Sequence, residues 1–473
     1  MNRAHHPGGV GRPAGTARPG GAVHLAGSAR RRGGALLAAL ALTALTGLTA
    51  CSGEEAAEPR SWTAAGLNAV SKVVAGSGVA AVTGLRNGTL QTNVLELDTG
   101  RRLWSKPTAM FGRLPGLGVQ PPAIAGPAGR PLVATVEQVT TRGPVKAALV
   151  AREARTGKER WRRPMHSTFG PARCGRSLCV SENTALKQAR FVVLDPATGK
   201  PQWGVPGISE VQHADARRIV IFRLARHPVL ESRDPRTGKL HWRTSVEDAL
   251  GSGITLAGGW TFGVSGDSLV GYMAPYRTRP QERMSTFGFF ALGLADGQVR
   301  WVRPRQVRVY PSGTPATMLV TRDVNAQDGY AGFTVLDPAT GRTTARMPAT
   351  AVPDTNWWLA LPERPDGVGF LTRNQPGHYY DLKAGKPQPG KSHKGWAFCS
   401  SDPKPLRITG APGFYPAAAV CHYDLGTGRR TQNTAPPSWY TGSTEGWRLW
   451  RDEAGNLNAR QTPGTTTVAG MYG

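Results

Sequence analysis

The amino-acid sequence predicts an all-β protein, a single β-propeller of four-stranded blades. Three observations lead to this fold class. A strand–turn–strand unit recurs along the chain, its period is that of a propeller blade, and a tryptophan holds a fixed place in it. The clearest copy is FVVLDPATGKPQW at residues 191–203. Asp195 can accept hydrogen bonds from the turn backbone, and Gly199 can take the left-handed conformation that a tight hairpin needs.

The turn glycine of this unit occurs eight times. Five of the seven intervals between successive copies are 39 to 44 residues long, close to the 40–45 residues of a four-stranded blade. The glycines are Gly100, Gly157, Gly199, Gly238, Gly297, Gly341, Gly385 and Gly428. An acidic residue stands four positions earlier in seven of the eight copies, as at Asp195, Asp234 and Asp337. The repeated carboxylate is therefore explained by turn structure rather than by catalysis.

Tryptophan stands four positions after the glycine in the first five copies, at Trp104, Trp161, Trp203, Trp242 and Trp301. The last three copies carry Ala345, Pro389 and Gln432 there. Each unit has room for two earlier strands, which places the turn between the third and the outer strand. We expect the indole on the outer strand to pack against the neighbouring blade.

Eight turns predict eight blades within a domain at residues 65–473, with seven blades as the alternative. Residues 447–464 (WRLWRDEAGNLNARQTPG) contain two more strand-like segments without a turn motif. We interpret them as the tail that closes the ring against the first blade.

The first 50 residues predict a signal peptide. They contain six arginines and no Asp, Glu or Lys, and residues 33–50 are small and apolar. The following Leu48-Thr49-Ala50-Cys51 resembles the signal motif of bacterial lipoproteins, in which the cysteine is acylated, for example with palmitate, and becomes the mature N-terminus. This resemblance implies lipid attachment at Cys51, a tether at residues 51–64, and a location on the extracytoplasmic face of the cell membrane. The export route and the true start codon stay open.

The chain is strongly basic, with a formal net charge of +27. The charge is still +21 without the six arginines of the leader. Such a charge predicts attraction to anionic lipid head groups or an anionic wall polymer, and an unknown surface protein is the other expected partner. The alternative is that the arginines only solvate the surface. Export makes nucleic acid an unexpected partner.

Four cysteines besides Cys51 predict two disulfides in an oxidising compartment, with three pairings open. Cys174 and Cys179 flank a short corner (CGRSLC), and Cys399 and Cys421 lie within one repeat unit. These two pairs are therefore favoured. A zinc site is disfavoured because no C-x₂-C spacing is present.

The pattern apolar-x-D-x-x-T-G-x-x-x-W resembles the pyrroloquinoline-quinone (PQQ) type of propeller repeat. That repeat occurs in quinoprotein alcohol dehydrogenases and in BamB, a lipoprotein of outer-membrane assembly machinery. The resemblance implies a fold but no activity, since the motif builds a hairpin. Quinoprotein dehydrogenases typically hold PQQ against a disulfide of adjacent cysteines, together with calcium. This chain has no adjacent cysteine pair, so no cofactor is expected.

The leading hypothesis is therefore a non-catalytic scaffold that binds a protein or a ligand at the cell surface. The alternative is a PQQ-dependent dehydrogenase, which would need PQQ and calcium. Partner contacts are predicted at the insertion YMAPYRTRPQER, through Tyr272, Tyr276 and Arg277. Deletion of residues 273–286 is predicted to abolish partner capture without unfolding the ring. A second candidate region, with core packing as its alternative, is an aromatic cluster of Trp357, Trp358, Tyr379 and Tyr380.

Overall fold

The computed structural model describes most of the chain after the leader. Described are residues 60–462, apart from 115, 128, 140–145, 184–188, 310–317, 352–356, 364–365, 373–374, 389–392, 400–404, 410–412, 432–434 and 438–440. The predicted signal peptide, Cys51 and most of the predicted tether lie outside the described residues. Within the described part, no helix has the length and apolar character needed to cross a membrane.

The regular secondary structure of the described residues consists almost entirely of short strands. Strands of the first half are β1 (Ser61–Ala64), β2 (Val74–Gly76), β3 (Val79–Arg86), β4 (Thr89–Glu96), β5 (Arg102–Pro107), β6 (Ala123–Ala125), β7 (Leu132–Gln138), β8 (Ala147–Glu153), β9 (Glu159–Pro164), β10 (His166–Cys174), β11 (Ser177–Asn183), β12 (Ala189–Leu194), β13 (Pro201–Pro206), β14 (Ser209–Ala214), β15 (Ile219–Arg223), β16 (Val229–Arg233) and β17 (Leu240–Ser245). A short helix, α1 (Val246–Leu250), and a 3₁₀ turn (Leu256–Gly258) follow.

The second half continues in the same manner. Its strands are β18 (Trp260–Ser265), β19 (Ser268–Met273), β20 (Gly288–Gly293), β21 (Val299–Pro304), β22 (Gln306–Arg308), β23 (Leu319–Val324), β24 (Tyr330–Leu336), β25 (Thr343–Pro348), β26 (Trp357–Pro362), β27 (Gly367–Thr372), β28 (Gln375–Asp381), β29 (Lys386–Gln388), β30 (Lys394–Phe398), β31 (Val420–Asp424), β32 (Arg429–Arg430), β33 (Trp447–Arg451) and β34 (Leu457–Gln461). A second 3₁₀ turn spans Ala349–Ala351.

These strands form eight sheets, which we number along the chain. Sheets 1 to 6 are antiparallel four-stranded meanders, from β2–β5 to β22–β25. The first strands of successive sheets contact one another, β2 with β6, β6 with β10, β10 with β14 and β14 with β18. The first strand of each sheet is therefore innermost, and the sheets are arranged radially around a central channel. The predicted fold class is confirmed.

Sheet 7 merges two repeat units into seven strands, in the order β29-β28-β27-β26-β30-β31-β32. Strand β26 changes partner along its length, because residues 357–360 pair with β27 whereas Leu361 and Pro362 pair with β30. The two merged units carry Pro389 and Gln432 in place of tryptophan. Eight turn motifs therefore do not correspond one to one with eight sheets.

Sheet 8 closes the ring and combines the two ends of the described chain, in the order β1-β34-β33. Ser61 pairs with Arg460 and Ala64 with Leu457. Residues 61–64 were predicted to belong to the tether, and this boundary is wrong because these residues supply the outer strand of the last sheet. Trp447, Leu449 and Leu457 pack against the first sheet in one apolar cluster, as predicted for the closing tail.

Antiparallel meanders give the ring two different faces. The connections between the first and second strands and between the third and fourth strands lie on one side, which we call the turn face. The connections between the second and third strands and between successive sheets lie on the other side, which we call the loop face. Turn glycines of the turn face have similar backbone angles, with φ of +69° at Gly199 and +73° at Gly238.

Apolar clusters fill the spaces between neighbouring sheets. The cluster between sheets 1 and 2 contains Val79 and Val94 of the first sheet together with Ile124 and Val133 of the second. Similar clusters lie between sheets 2 and 3, 4 and 5, and 6 and 7. Because each sheet buries both faces in this way, the ring has many small cores instead of one large one.

Candidate functional site

The tryptophans of the repeat join neighbouring sheets. In the first four copies, the indole Nε1 donates to a backbone carbonyl in the turn of the following sheet, at 2.7–3.0 Å. The pairs are Trp104 with Ala154, Trp161 with Pro196, Trp203 with Pro235 and Trp242 with Leu294. Trp62 makes the same bond to Leu97 at 2.8 Å. These contacts are structural, and they occupy the tryptophans in holding the ring together.

The turn glycines lie directly beneath these indoles. A Cβ atom at Gly199 would stand 2.6 Å from a ring carbon of Trp161, and one at Gly341 would stand 2.5 Å from Trp301. Gly385 has nothing within 4 Å of such an atom, since Ala345 replaces tryptophan in the preceding sheet. The glycine therefore meets two demands in most units, a positive φ and close contact with an aromatic ring.

The acidic residues of the repeat cap their own turns. Asp195 Oδ1 accepts hydrogen bonds from the backbone N–H groups of Ala197 and Thr198, at 2.7 and 3.2 Å. Asp234 and Asp337 accept equivalent bonds in their own turns. The carboxylates point into exposed turns, so they do not form a shared site.

Both favoured disulfides are present. Cys174 is bonded to Cys179, and Cys399 to Cys421. The first closes a corner between β10 and β11, and the second joins the two ends of the long connection between β30 and β31. All four cysteines are buried.

The insertion of sheet 5 is an ordered loop on the loop face. Ser285 N–H donates to the carbonyl of Tyr276 at 2.8 Å, and Met284 N–H donates to Asp328 at 3.1 Å. Tyr276 is 40% exposed and Arg277 is exposed, so both can contact a partner.

Tyr272, by contrast, is not accessible to a partner. It is 3% exposed and stacks on Phe289, with ring centroids 4.5 Å apart. Burial raises the pKa of its hydroxyl to about 12. The prediction that Tyr272 contacts a partner is wrong, because the side chain points into the ring wall from the end of β19.

The second aromatic region packs into the core. Trp357 forms edge-to-face contacts with Phe333 and Phe370, at centroid distances of 5.5 and 5.3 Å. Tyr379 and Tyr380 are 5% and 4% exposed. Trp357, Tyr379 and Tyr380 are therefore core residues, which is the alternative given for this region from the sequence.

Four charged residues lie near the loop face, on or close to the chain segments that begin their sheets. We call Lys72, Arg113, Glu210 and Arg308 the inner charge cluster. Lys72 precedes β2 of sheet 1, Glu210 lies in β14 of sheet 4, and Arg308 lies in β22 of sheet 6. These sheets are not neighbours in the ring. Charge interactions nevertheless link Glu210 with Lys72 and Arg113, and Lys72 with Arg308. These side chains therefore influence one another's charge although their sheets are not neighbours.

Glu210 is the single carboxylate of the inner charge cluster. Its Oε2 accepts hydrogen bonds from Trp260 Nε1 at 2.8 Å and from Gln212 Nε2 at 3.0 Å. Burial raises the pKa of Glu210, although both donors and the nearby cations oppose that shift. The side chain thus lies within the ring wall at 6% exposure.

The three cations are held by different parts of the chain. Burial lowers the pKa of Lys72 from 10.5 to about 8, with Glu210 opposing the shift. Burial likewise lowers the pKa of Arg113 to about 10. Arg308 donates to the Thr261 hydroxyl at 2.5 Å. As whole residues all three are half-buried, whereas Glu210 is buried.

Two long connections lie over this part of the ring. The connection from sheet 1 to sheet 2 carries Arg113, whose Nε donates to the Gly118 carbonyl and whose Nη1 donates to Gln120, at 2.8 and 2.7 Å. Val119 N–H in turn donates to the carbonyl of Tyr415, in the connection between β30 and β31. The disulfide-closed connection of sheet 7 therefore reaches across to the first two sheets.

The inner charge cluster does not fit calcium. Ca²⁺ takes six to eight oxygen ligands, several of them carboxylates, whereas this cluster has one carboxylate beside three cations. Across the described residues, no group of three His, Cys, Asp or Glu side chains is placed to hold a metal ion. The site that a quinoprotein dehydrogenase needs is thus not matched by these side chains.

A separate cleft of about 440 Å³ lies where sheet 7 meets sheet 8. His422, Arg430, Asp452 and Glu453 are among its lining residues. His422 is 5% exposed and contacts Glu363 Oε1 at 2.7 Å. Arg430 forms an ion pair with Glu453, so the polar groups of the cleft join the two sheets.

Sequence reasoning missed Trp62 and the inner charge cluster. No turn motif precedes Trp62 in the sequence, because the other strands of its sheet come from the C-terminal end of the chain. A signal for part of the cluster was present, since Glu210 and Arg308 each stand eleven residues after a turn glycine. Only the ring geometry shows that this position faces the channel.

The fold is a β-propeller, and its repeated turn motif is similar to that of PQQ-like repeats. A sequence model of the family described as "Outer membrane protein assembly factor BamB" matches residues 31–205. No curated protein matches the chain in sequence.

The solved structures that match the chain are distant in sequence. BamB from Moraxella catarrhalis has 13% identity and a TM-score of 0.43, covering 86% of this chain and 97% of its own. Quinohemoprotein alcohol dehydrogenase from Comamonas testosteroni has 12% identity and a TM-score of 0.42, covering 80% and 78%. The Dos1 propeller has 8% identity and a TM-score of 0.43, covering 87% and 97%.

Proposed function

We propose that this chain is a non-catalytic binding scaffold, held at the extracytoplasmic face of the cell membrane by acylated Cys51. The observation that carries the proposal is the difference between the two faces of the ring. The connections between third and fourth strands, on the turn face, are short turns built on one motif, whereas the insertion of sheet 5 and the long connection between sheets 1 and 2 lie on the loop face. Elaborated loops on a rigid ring are typical of binding surfaces.

The surface available to a partner on the loop face includes Tyr276 and Arg277. Both are exposed at the tip of an ordered insertion, and such residue types often dominate the energy of protein interfaces. An ordered loop also loses little conformational entropy on binding. We therefore place partner capture at this insertion.

The test is cross-linking in cells followed by mass spectrometry, with the double variant Tyr276→Ala/Arg277→Ala. A control double variant on the outer strand and turn face is Arg236→Ala/Leu240→Ala, whose side chains are also exposed. We expect a partner to be recovered with wild type and control but lost with the insertion variant. Equal recovery from all three proteins would contradict capture at this insertion.

Deletion of residues 273–286 is not a suitable test, contrary to the prediction from sequence. Met273 is fully buried at the end of β19, and Ala274 is 3% exposed. Thr286 N–H also donates to the carbonyl of Gly253. The deletion would remove structural contacts together with the exposed tip, so point substitutions are preferable.

The proposed anchor has its own test. Cys51→Ala removes the acylation site, and two acyl chains or one chain with basic residues are needed for stable attachment. We expect wild type in the membrane fraction and the variant in the soluble extracytoplasmic fraction. Membrane retention of the variant would show that another segment holds the chain.

The dehydrogenase alternative is tested with the purified chain. The sequence lacks the adjacent cysteine pair that quinoprotein dehydrogenases typically use, which favours the non-catalytic choice. Adding PQQ with calcium is expected to leave the melting temperature and the quinone absorbance unchanged. A saturable change in both would favour the alternative.

A further inference from the structure

We propose that the Cys399–Cys421 disulfide is a site of thiol exchange, where a reductant with two thiol groups attacks Cys421 from the cleft between sheets 7 and 8. The inference goes beyond the scaffold function, because it assigns covalent chemistry to a bond that otherwise serves only to link two strands. It involves none of the residues assigned to partner capture.

The two disulfides of the chain differ in their surroundings. Cys421 is among the lining residues of the cleft of about 440 Å³. Cys421 and Cys399 are 6% and 7% exposed, whereas Cys174 and Cys179 are 0% exposed and belong to an apolar cluster between sheets 3 and 4. Exchange requires that a thiolate reaches a sulfur atom. The Cys399–Cys421 bond is therefore the more accessible of the two to a reductant.

A guanidinium group contacts the sulfur atom on the cleft side. Arg430 Nη2 lies 2.8 Å from Cys421 Sγ, and Nη1 of the same side chain forms an ion pair with Glu453. The Arg430 side chain is 47% exposed, so a group that enters the cleft can reach it. A positive charge beside a cysteine stabilises the thiolate. Glu453 balances part of this charge, which limits the effect to that of a partly exposed ion pair.

The exchange takes two steps, and each step breaks one sulfur–sulfur bond while it forms another. In the first step, a thiolate of the reductant attacks Cys421 Sγ, and Cys399 leaves with the bonding electron pair and takes up a proton. In the second step, the other thiol of the reductant loses its proton and attacks the linked sulfur atom of the reductant. Cys421 then leaves as a thiolate beside Arg430. The reductant becomes a cyclic disulfide, and the chain gains two electrons.

Arg430 contributes to both steps. Cys399 and Cys421 belong to one apolar cluster with Leu371 and Tyr379, and apolar surroundings disfavour a thiolate. At Cys421 the guanidinium group opposes this effect, since it attracts the incoming thiolate and stabilises the thiolate that leaves. The mixed disulfide between chain and reductant is therefore expected at Cys421.

The experiment measures how fast each disulfide opens in the folded full chain, purified in detergent, with dithiothreitol as the reductant. Samples are alkylated at intervals and quantified by mass spectrometry, under conditions in which the native tryptophan fluorescence is retained throughout. We expect Cys399–Cys421 to open faster than Cys174–Cys179 by about tenfold or more, because the second pair must first be exposed by local opening. Equal rates, or the reverse order, would overturn the proposal.

Glutathione, which has one thiol group, tests where the first step occurs. It stops the reaction at the mixed disulfide, and we expect the adduct on Cys421. An adduct on Cys399 would contradict attack from the cleft. Both measurements use the wild type, so they do not depend on the folding of a variant.

Arg430→Gln tests the guanidinium group, and Arg429→Gln is the matched control because the neighbouring Arg429 is also exposed. At pH 7 we expect Arg430→Gln to slow the opening of Cys399–Cys421 by about threefold, as for a partly exposed ion pair. The control should keep the wild-type rate. A merely structural role would give the opposite sign, since a loosened strand exposes the disulfide and speeds its opening. An unchanged or faster rate in Arg430→Gln would overturn the role of Arg430.

Discussion

Trp62 lies against Gly100, so that a Cβ atom on this glycine would stand 2.5 Å from the indole ring. The contact joins sheet 8 to sheet 1, and it is equivalent to the contacts between earlier sheets. The propeller is therefore closed by the same pairing of tryptophan and glycine that builds it. The tryptophan comes from the N-terminal strand, whereas its sheet neighbours come from the C-terminal end.

We expect Trp62→Ala to lower the free energy of unfolding by about 2–3 kcal/mol. This loss is smaller than that for a fully buried tryptophan, because Trp62 is half-buried. The variant also loses the hydrogen bond to Leu97. Urea unfolding measures the change, with Tyr276→Ala as the control for an exposed aromatic residue. A loss no larger than in the control would show that closure does not depend on this contact.

A matched pair of glycines isolates the contribution of the indole contact. Gly199 and Gly385 have φ of +69° and +64°, so alanine costs about 1 kcal/mol at either position through backbone strain. Only at Gly199 does the new methyl group meet an indole, at 2.6 Å. We expect Gly199→Ala to be more destabilising than Gly385→Ala by about 1–3 kcal/mol, as in overpacked cores. Equal losses in chemical unfolding would contradict this role of the glycine.

The two disulfides should differ in their effect on stability. They close loops with sequence separations of 5 and 22 residues, for which chain entropy gives about 2 and about 3 kcal/mol. We expect Cys399→Ala/Cys421→Ala to be more destabilising than Cys174→Ala/Cys179→Ala in unfolding experiments. The reverse order would show that packing of the short corner outweighs loop entropy.

Stability should rise with pH through the titration of Lys72. Its pKa is about 8 in the folded chain and 10.5 ordinarily, so below pH 8 the lysine is charged in both states and its burial cost is fully present. Between pH 8 and 10.5 the unfolded chain binds a proton that the folded chain has released. Linkage then makes stability increase with pH. Glu210 and Arg308 are among the charged groups that act on Lys72.

Urea unfolding at pH 7 and pH 9 measures this contribution. Lys72→Met should remove it, and the difference between the variant and wild type should become smaller at the higher pH. Lys106→Met is the control, because this lysine is exposed on β5. A difference between Lys72→Met and wild type that is independent of pH would contradict the inferred burial of the charge.

The sequence alone was sufficient for the fold class, the turns and the favoured disulfide pairs. Asp195, Gly199 and Trp203 act within one hairpin or on the next one along the chain, so their register repeats and can be read directly. Proline also repeats seven residues after the glycine, at Pro107, Pro164, Pro206, Pro304 and Pro348. It ends outer strands, where a missing N–H costs little.

Only the tertiary structure decided how the ring closes and what faces its channel. Ser61 pairs with Arg460 across nearly the whole chain, and no local pattern signals a pairing of that range. Glu210 and Arg308 lie on the first strands of sheets 4 and 6, and Lys72 shortly precedes the first strand of sheet 1, so radial packing brings these distant positions around one axis. Local turn chemistry determines each hairpin, but the position of a side chain relative to the channel depends on the assembled ring.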